Sequence, residues 1–335
     1  MNRDTKTHTP VIVRFAAMGD AVLLTVLIHR LSERYQRPVN LLSSGGWTKS
    51  LLSPDPTVGE ITLVTSRKRP YWLTPSQRDA VNWLKSQHGP VYLCDPDKYS
   101  LRLVRRAVSD ERIIRVWDTW PGLGVHWADW WQSVGSGRSL EIGGGQPRLV
   151  VPETWLTDAR SWMTRRELLE GKFVLIQPGN KKTAKRFTWN RENDKFWPLE
   201  RWRETVNSIL QNQPDFNVVI CGAPSEAALA DQIVALCDDA RVFSAANELP
   251  IPRFAAVATM AHSMVSIDTG PAHVAAAVNC ALVVLFGAFG WRRWCPRAPS
   301  ARVIALGGAD ETNTGHVNQI SANHVIAAWQ SLGTK

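Results

Sequence analysis

Short runs of β-branched and aliphatic residues recur along this chain, and each is followed by a longer stretch with apolar residues at helical spacing. No other feature narrows the fold as much. The runs read as buried strands and the stretches between them as crossover helices. The chain is therefore α/β, with mostly parallel sheets covered on both faces. Residues 11–15 read as the first strand and 21–35 as the first helix, with Val22, Leu23, Val26, Leu27 and Leu31 on its apolar face. Further strands are expected at 39–42, 61–64, 91–94 and 112–116. Residues 135–152, which hold five glycines and two prolines, interrupt the series and read as a linker. A second series then places strands at 173–176, 216–221, 264–267 and 281–286. With 335 residues there is chain enough for two such units, 1–150 and 151–335.

Composition bears mainly on partners. No segment approaches the roughly 20 apolar residues of a bilayer span, and residues 1–10 are polar, without the apolar middle of a secretory leader. A cytoplasmic location is expected. Cys94, Cys221, Cys237, Cys280 and Cys295 are odd in number and widely spaced, without a CxxC. They read as reduced thiols, and neither a metal site nor a disulfide framework is expected. The formal charge of +9 favours an anionic partner: nucleic acid, acidic lipid or a phosphorylated substrate. It also serves solubility. No nucleic-acid binding module and no basic stripe interleaved with aromatics is evident, so nucleic acid is not expected. Of the 16 tryptophans, five fall within 117–131. Trp127, Trp130 and Trp131 recur at helical spacing beside Val134, which favours packing over an aromatic belt at a membrane.

In open α/β sheets ligands bind beyond the carboxyl ends of strands, so the loops there carry the chemistry. The first, Arg14 to Asp20, offers small residues and Gly19 ahead of a helix N-terminus. Asp20 can serve there as a cleft-facing carboxylate or as a helix cap. The loop Ile267 to His273 combines Thr269 and Gly270, whose amides can meet a diphosphate, with Pro271 in the first helical turn. Asp268 can orient this loop, hold a ribose or cap the helix, and His273 stands one turn in. Lys195, just before Trp197-Pro198, can supply a point charge or simply be a surface lysine. Glu226 follows a strand, where a carboxylate can accept from ribose hydroxyls. Asp95-Pro96-Asp97 imitates a metal-binding DxD but reads as a turn.

Taken in order, these segments resemble the glycosyltransferase family 9 heptosyltransferases over almost the whole chain. The Gly-Asp loop matches Val11 to Leu24, Asp-Lys-x-Trp-Pro matches Asp194 to Pro198, Gly-Ala-Pro-x-Glu matches Gly222 to Glu226, and Asp-Thr-Gly-x-x-His matches Asp268 to His273. The apolar run 281–286 ending in Gly287 also fits. The resemblance implies a GT-B fold, two Rossmann-like domains with mostly parallel sheets facing across a cleft. The first would be the acceptor side, with contacts at Gly19 and Lys98, and the second would bind the nucleotide-sugar donor. It further implies inverting transfer of heptose from ADP-heptose to a lipopolysaccharide core acceptor, without a metal or other cofactor. Asp20 would be the general base, and Lys195 with Thr269 and Gly270 would stabilise the departing diphosphate. Glu226 would hold the ribose, and Asp268 and His273 would complete the donor site. Peripheral contact with the cytoplasmic face of the inner membrane follows from such an acceptor. Two segments depart from the family pattern. Cys94 to Ser100 replaces Asp-x-Gln-Gly followed by Lys-Ser, and Thr188 stands seven residues before Lys195, inside the basic stretch 181–191. A same-family enzyme using another nucleotide sugar, or a noncatalytic sugar-nucleotide binding protein, are the alternatives.

Overall fold

The structure is a computed structural model that describes residues 8–122, 124–180, 194–287, 291–307 and 316–333. The basic stretch 181–191, including Thr188, lies outside them. The chain divides into two compact units at the Val150–Val151 junction.

In the first unit, strands β1 (Val11–Val13), β2 (Val39–Ser43), β3 (Val58–Leu63), β4 (Val91–Leu93) and β5 (Ile113–Arg115) are joined by helices α1 (Met18–Tyr35), α2 (Trp47–Leu52), α3 (Pro75–Ser86) and α4 (Lys98–Val104), and α5 (Trp127–Ser136) follows. Among the described residues they form a 5-stranded sheet in the order β3-β2-β1-β4-β5, and every pairing is parallel. The order reverses between β1 and β4, so the loops after those two strands open on the unit's binding edge.

α1 starts at Met18, three residues earlier than its apolar periodicity suggests. The carboxylate of Asp20 accepts from the amide of Ala17, which closes the first turn ahead of the apolar face. α1 packs against α5, and the tryptophans of α5 pack into an aromatic cluster with Trp117 and Trp120. Trp130 and Trp131 are buried and stack with ring centroids 4.3 Å apart. Gly135 lies inside α5 rather than in a linker. A Cβ there would come within 2.5 Å of the Cβ of Arg30 on α1, so glycine permits the close helix approach. Gly145 also packs on this helix, its amide donating to Oδ1 of buried Asp129 at 3.0 Å. Part of the glycine-rich stretch is thus laid onto the first unit.

In the second unit the strands are β6 (Phe173–Gln177), β7 (Asn217–Ile220), β8 (Val242–Ser244), β9 (Ser263–Ile267), β10 (Ala281–Leu285) and β11 (Val303–Leu306). Its helices are α6 (Glu153–Arg165), α7 (Leu199–Asn212), α8 (Ala227–Cys237), α9 (Ile251–Met260), α10 (Gly270–Ala277), α11 (Trp291–Trp294) and α12 (Ala322–Gln330). Among the described residues the sheet is 6-stranded, ordered β11-β10-β9-β6-β7-β8, and parallel throughout. Val174, Ile176, Val265, Ile267, Val283 and Leu285 line one face of it. That face packs on α7, α8 and α12 through Trp202, Val206, Ile233 and Val325. Both faces are covered, as β-branched runs without polar alternation require. Here the order reverses between β6 and β9, which marks the loops after β6 and β9 as the binding edge.

Candidate active site

On the second unit, β9 ends at Ile267, Asp268 follows it, and α10 begins two residues after Asp268. The Asp268 amide donates to the carbonyl of Leu285 on β10 at 2.9 Å, which fixes the exit of the strand. Asp268 is 8% exposed. Its Oδ2 stands 2.6 Å from Nζ of Lys195, and its backbone carbonyl accepts from the same ammonium at 3.1 Å. Lys195 is held from the other side by its neighbours. The Asp194 carbonyl accepts from the Val317 amide at 3.1 Å, and a Cβ at Gly287 would lie 2.9 Å from that carbonyl. Two residues on, Trp197 is buried, and its indole N–H donates to the carbonyl of Ile320 at 2.9 Å. Pro198 then opens α7. The Trp-Pro step therefore anchors the lysine as well as the helix.

Thr269 is the N-cap of α10, and its side chain accepts no capping hydrogen bond. Gly270 and Pro271 fill the first two helical positions. The first turn of a helix leaves amides without intrahelical acceptors and carries a partial positive charge, which is the basis of anion binding at such termini. Lys195 brings a full charge to the same place. His273, one turn in, is 4% exposed. Burial pulls its pKa down to about 4; Asp268 pushes it up and Lys195 down by smaller amounts. The imidazole is thus neutral near pH 7, and adds no third charge to the cluster.

Glu226 stands on a different loop, after β7. It is 8% exposed, and its Oε2 accepts from the Ala223 amide at 2.8 Å. Facing it is Gly179, in the loop after β6, where an added Cβ would lie 2.4 Å from Oε1. Gly179 is a positioning residue that the sequence reading passed over; a Pro-Gly pair just beyond a strand's carboxyl end was its signal.

On the first unit the loop after β1 is tied to the loop after β4. Asp95 accepts from the Phe15 amide at 2.7 Å and from the guanidinium of Arg14 at 3.1 Å. Burial pushes the Asp95 carboxyl up, and Arg14 and the Phe15 amide pull it partly back. Arg14 is itself buried, and its Nη2 lies 3.9 Å from Oδ2 of Asp20. The sequence places Arg14 at the start of a loop and Asp95 in an Asp-Pro-Asp step, but their pairing has no local pattern, because the two residues are so far apart. Gly19 and Asp20 lie in the first turn of α1, with Gly19 buried and the Asp20 side chain 28% exposed. Lys98 opens α4 and is exposed. Asp97 caps that helix, accepting from the amides of Tyr99 and Ser100, so the Asp-Pro-Asp step leads into a helix cap. Among the described residues no group of three His, Cys, Asp or Glu side chains is arranged to hold a metal ion.

A family model, glycosyltransferase family 9 (heptosyltransferase), matches residues 157–322. The chain belongs to glycosyltransferase family 9. Among curated relatives, lipopolysaccharide heptosyltransferase 3 of Escherichia coli is 28% identical over 203 residues, 56% of this chain and 56% of that protein. The match thus spans little more than half the length of that relative. Among solved structures, the family 9 glycosyl transferase from Veillonella parvula DSM 2008 aligns with a TM-score of 0.77 at 16% identity, over 97% of both chains. E. coli heptosyltransferase WaaC with ADP-2-deoxy-2-fluoro heptose aligns with a TM-score of 0.67 at 16% identity, over 97% of this chain and 100% of that one. The fold of this family 9 member is accordingly the two-Rossmann GT-B fold. The matched residues include Lys195, Glu226 and Asp268 to His273. Gly19, Asp20 and Lys98 lie in the other unit, outside the match.

Proposed function

We propose that this family 9 member is an inverting, metal-independent glycosyltransferase. It moves heptose from an ADP-heptose-like donor onto an anionic lipopolysaccharide core acceptor, working in the cytoplasm and touching the inner membrane peripherally. The observation that carries the reading is the Lys195–Asp268 pair at the N-terminus of α10. A departing nucleoside diphosphate gathers negative charge in the transition state. A lysine held in place, with the amides of Thr269 and Gly270 beside it, meets that charge with little reorganisation. Asp268 keeps the ammonium aimed, and His273 fills the space beneath the loop without competing charge. Glu226, braced against Gly179, takes the ribose hydroxyls. Family membership and the E. coli enzyme held with an ADP-heptose analogue support the choice of donor.

On the first unit, 1–150, Asp20 takes the proton from the acceptor hydroxyl as that oxygen attacks the anomeric carbon. The attack comes opposite the diphosphate, so one displacement inverts the centre. Gly19 leaves the backbone room there, and Lys98 offers a cation to the acceptor's anionic groups. The second unit, 151–335, holds the donor. The test is product formation by mass spectrometry with ADP-heptose and truncated core acceptors in chelator, comparing the parent with Asp20→Ala. Transfer by the parent should fall about 10²–10⁴-fold in the variant, the usual worth of a positioned base. Transfer from a different nucleotide sugar alone would move the reading to another member activity of the family. Failure to bind any nucleotide sugar would sink it.

A further inference from the structure

We infer that the first unit docks on an anionic lipid bilayer through the surface around the turn Tyr71–Leu73. Trp72 is 73% exposed and Leu73 beside it 59%. Two large apolar side chains in adjacent positions at a loop tip are costly to leave in water unless something covers them. The tip is held, not slack. The buried amide of Gln77 donates to the carbonyls of Ser66 at 2.6 Å and Arg69 at 3.0 Å. Thr74 Oγ1 donates to the Pro70 carbonyl at 3.0 Å, and the Arg78 guanidinium to the Trp72 carbonyl at 2.7 Å.

The charge beside the tip is of one sign. Lys68 and Arg69 from the loop, with Arg102 from α4 and Arg106 from the turn after it, are exposed around a concavity of about 250 Å³ that Tyr71 and Tyr99 also line. Neighbouring Arg67 and Arg105 are engaged by Asp97 and Asp110. Among the described residues no carboxylate lies within 4.0 Å of the cationic groups of Lys68, Arg69, Arg102 or Arg106. A soluble phosphorylated sugar would answer those charges and leave the Trp72–Leu73 pair in water. The headgroup zone of an anionic bilayer answers both, taking the indole at the interface and lipid phosphates at the four cations. This deepens the proposed transfer to a lipid-linked acceptor and rests on that reading for its purpose. The lipid-binding readout itself needs no sugar.

The full chain is floated with phosphatidylglycerol-rich vesicles and with purely phosphatidylcholine vesicles, at low and high salt. It should rise with the anionic vesicles, and salt should weaken that binding. Trp72→Ala with Leu73→Ala should lower the apparent affinity about tenfold or more. Lys68→Ala and Arg69→Ala should each cost roughly fivefold. All four positions are exposed, so melting temperatures should stay at the parent value, and turnover of a water-soluble acceptor should be unchanged by the Trp72 and Leu73 substitutions. Equal flotation with both lipids, none with either, or parental flotation by the variants would overturn the inference. So would loss of turnover on the soluble acceptor with flotation intact, which would make Trp72 a sugar-stacking platform. Flotation as expected, with every nucleotide sugar rejected, would remove the enzymatic reading and leave the docking surface standing.

Discussion

The ammonium of Lys195 lies 2.6 Å from Oδ2 of Asp268, a residue 73 positions further along the chain, and 3.1 Å from the same residue's carbonyl. Two acceptors on one residue fix the direction of a side chain that otherwise has four rotatable bonds. The pair joins the segment before α7 to the loop after β9, so the charge arrives at the terminus of α10 already oriented.

Removing the acceptor charge should therefore disable the lysine without removing it. In Asp268→Asn, kcat at saturating donor should fall about 10²-fold, close to the loss in Lys195→Ala, since misplaced transition-state charge is worth little. Lys195→Arg should recover only part, because a planar fork does not fit a site shaped for a point charge. A parental kcat in Asp268→Asn would mean that Lys195 is oriented by something else.

Gly179→Ala tests the opposite wall. Its new Cβ would meet Glu226 Oε1 at 2.4 Å, so the carboxylate must leave the position in which it accepts from Ala223. Affinity for ADP, read by titration calorimetry, should drop about tenfold, the scale of one lost hydrogen bond to a charged group. Glu226→Ala should give a similar loss, and adding Gly179→Ala to it should cost little more. Additive losses would show that the two residues act separately.

His273 makes stability depend on pH. Its folded pKa, about 4, lies below the 6.5 of the unfolded chain. Between those values the unfolded chain binds a proton that the folded one refuses, so unfolding gains. The contribution is complete above about pH 6.5 and is lost as pH falls toward 4. It amounts to at most about 3 kcal/mol. Urea titrations at pH 7.5 and 5 should show the parent losing stability over that span. His273→Gln should lose less between the same two pH values; equal losses would place the effect on other groups.

Trp197→Phe should cost about 1–2 kcal/mol, for one hydrogen bond and a smaller ring in a filled core. Arg201 also donates to the Ile320 carbonyl, at 2.7 Å, so that acceptor keeps a partner. Because Trp197 stands two residues from Lys195, kcat should fall more than melting alone explains. A variant that melts lower yet turns over like the parent would separate the anchor from the lysine.

Much of the fold was legible in the residues alone. The runs at 11–13, 173–176 and 281–286 are continuous and apolar because both faces of a parallel sheet are buried, and their βα alternation named the architecture. The motif order named the family. What the sequence could not show is of two kinds. β8 and β11 are short edge strands, so the three residues of Val242–Ser244 and the four of Val303–Leu306 are runs too brief to rise above their surroundings. The other kind is long-range contact. That Asp268 aims Lys195, that Gly179 makes room for Glu226, and that Arg14 and Asp95 lock the loop holding Asp20 follow from the order of strands in each sheet. Local periodicity reports which face of an element is buried; only the packed sheet decides which residues, distant in sequence, meet at its edge.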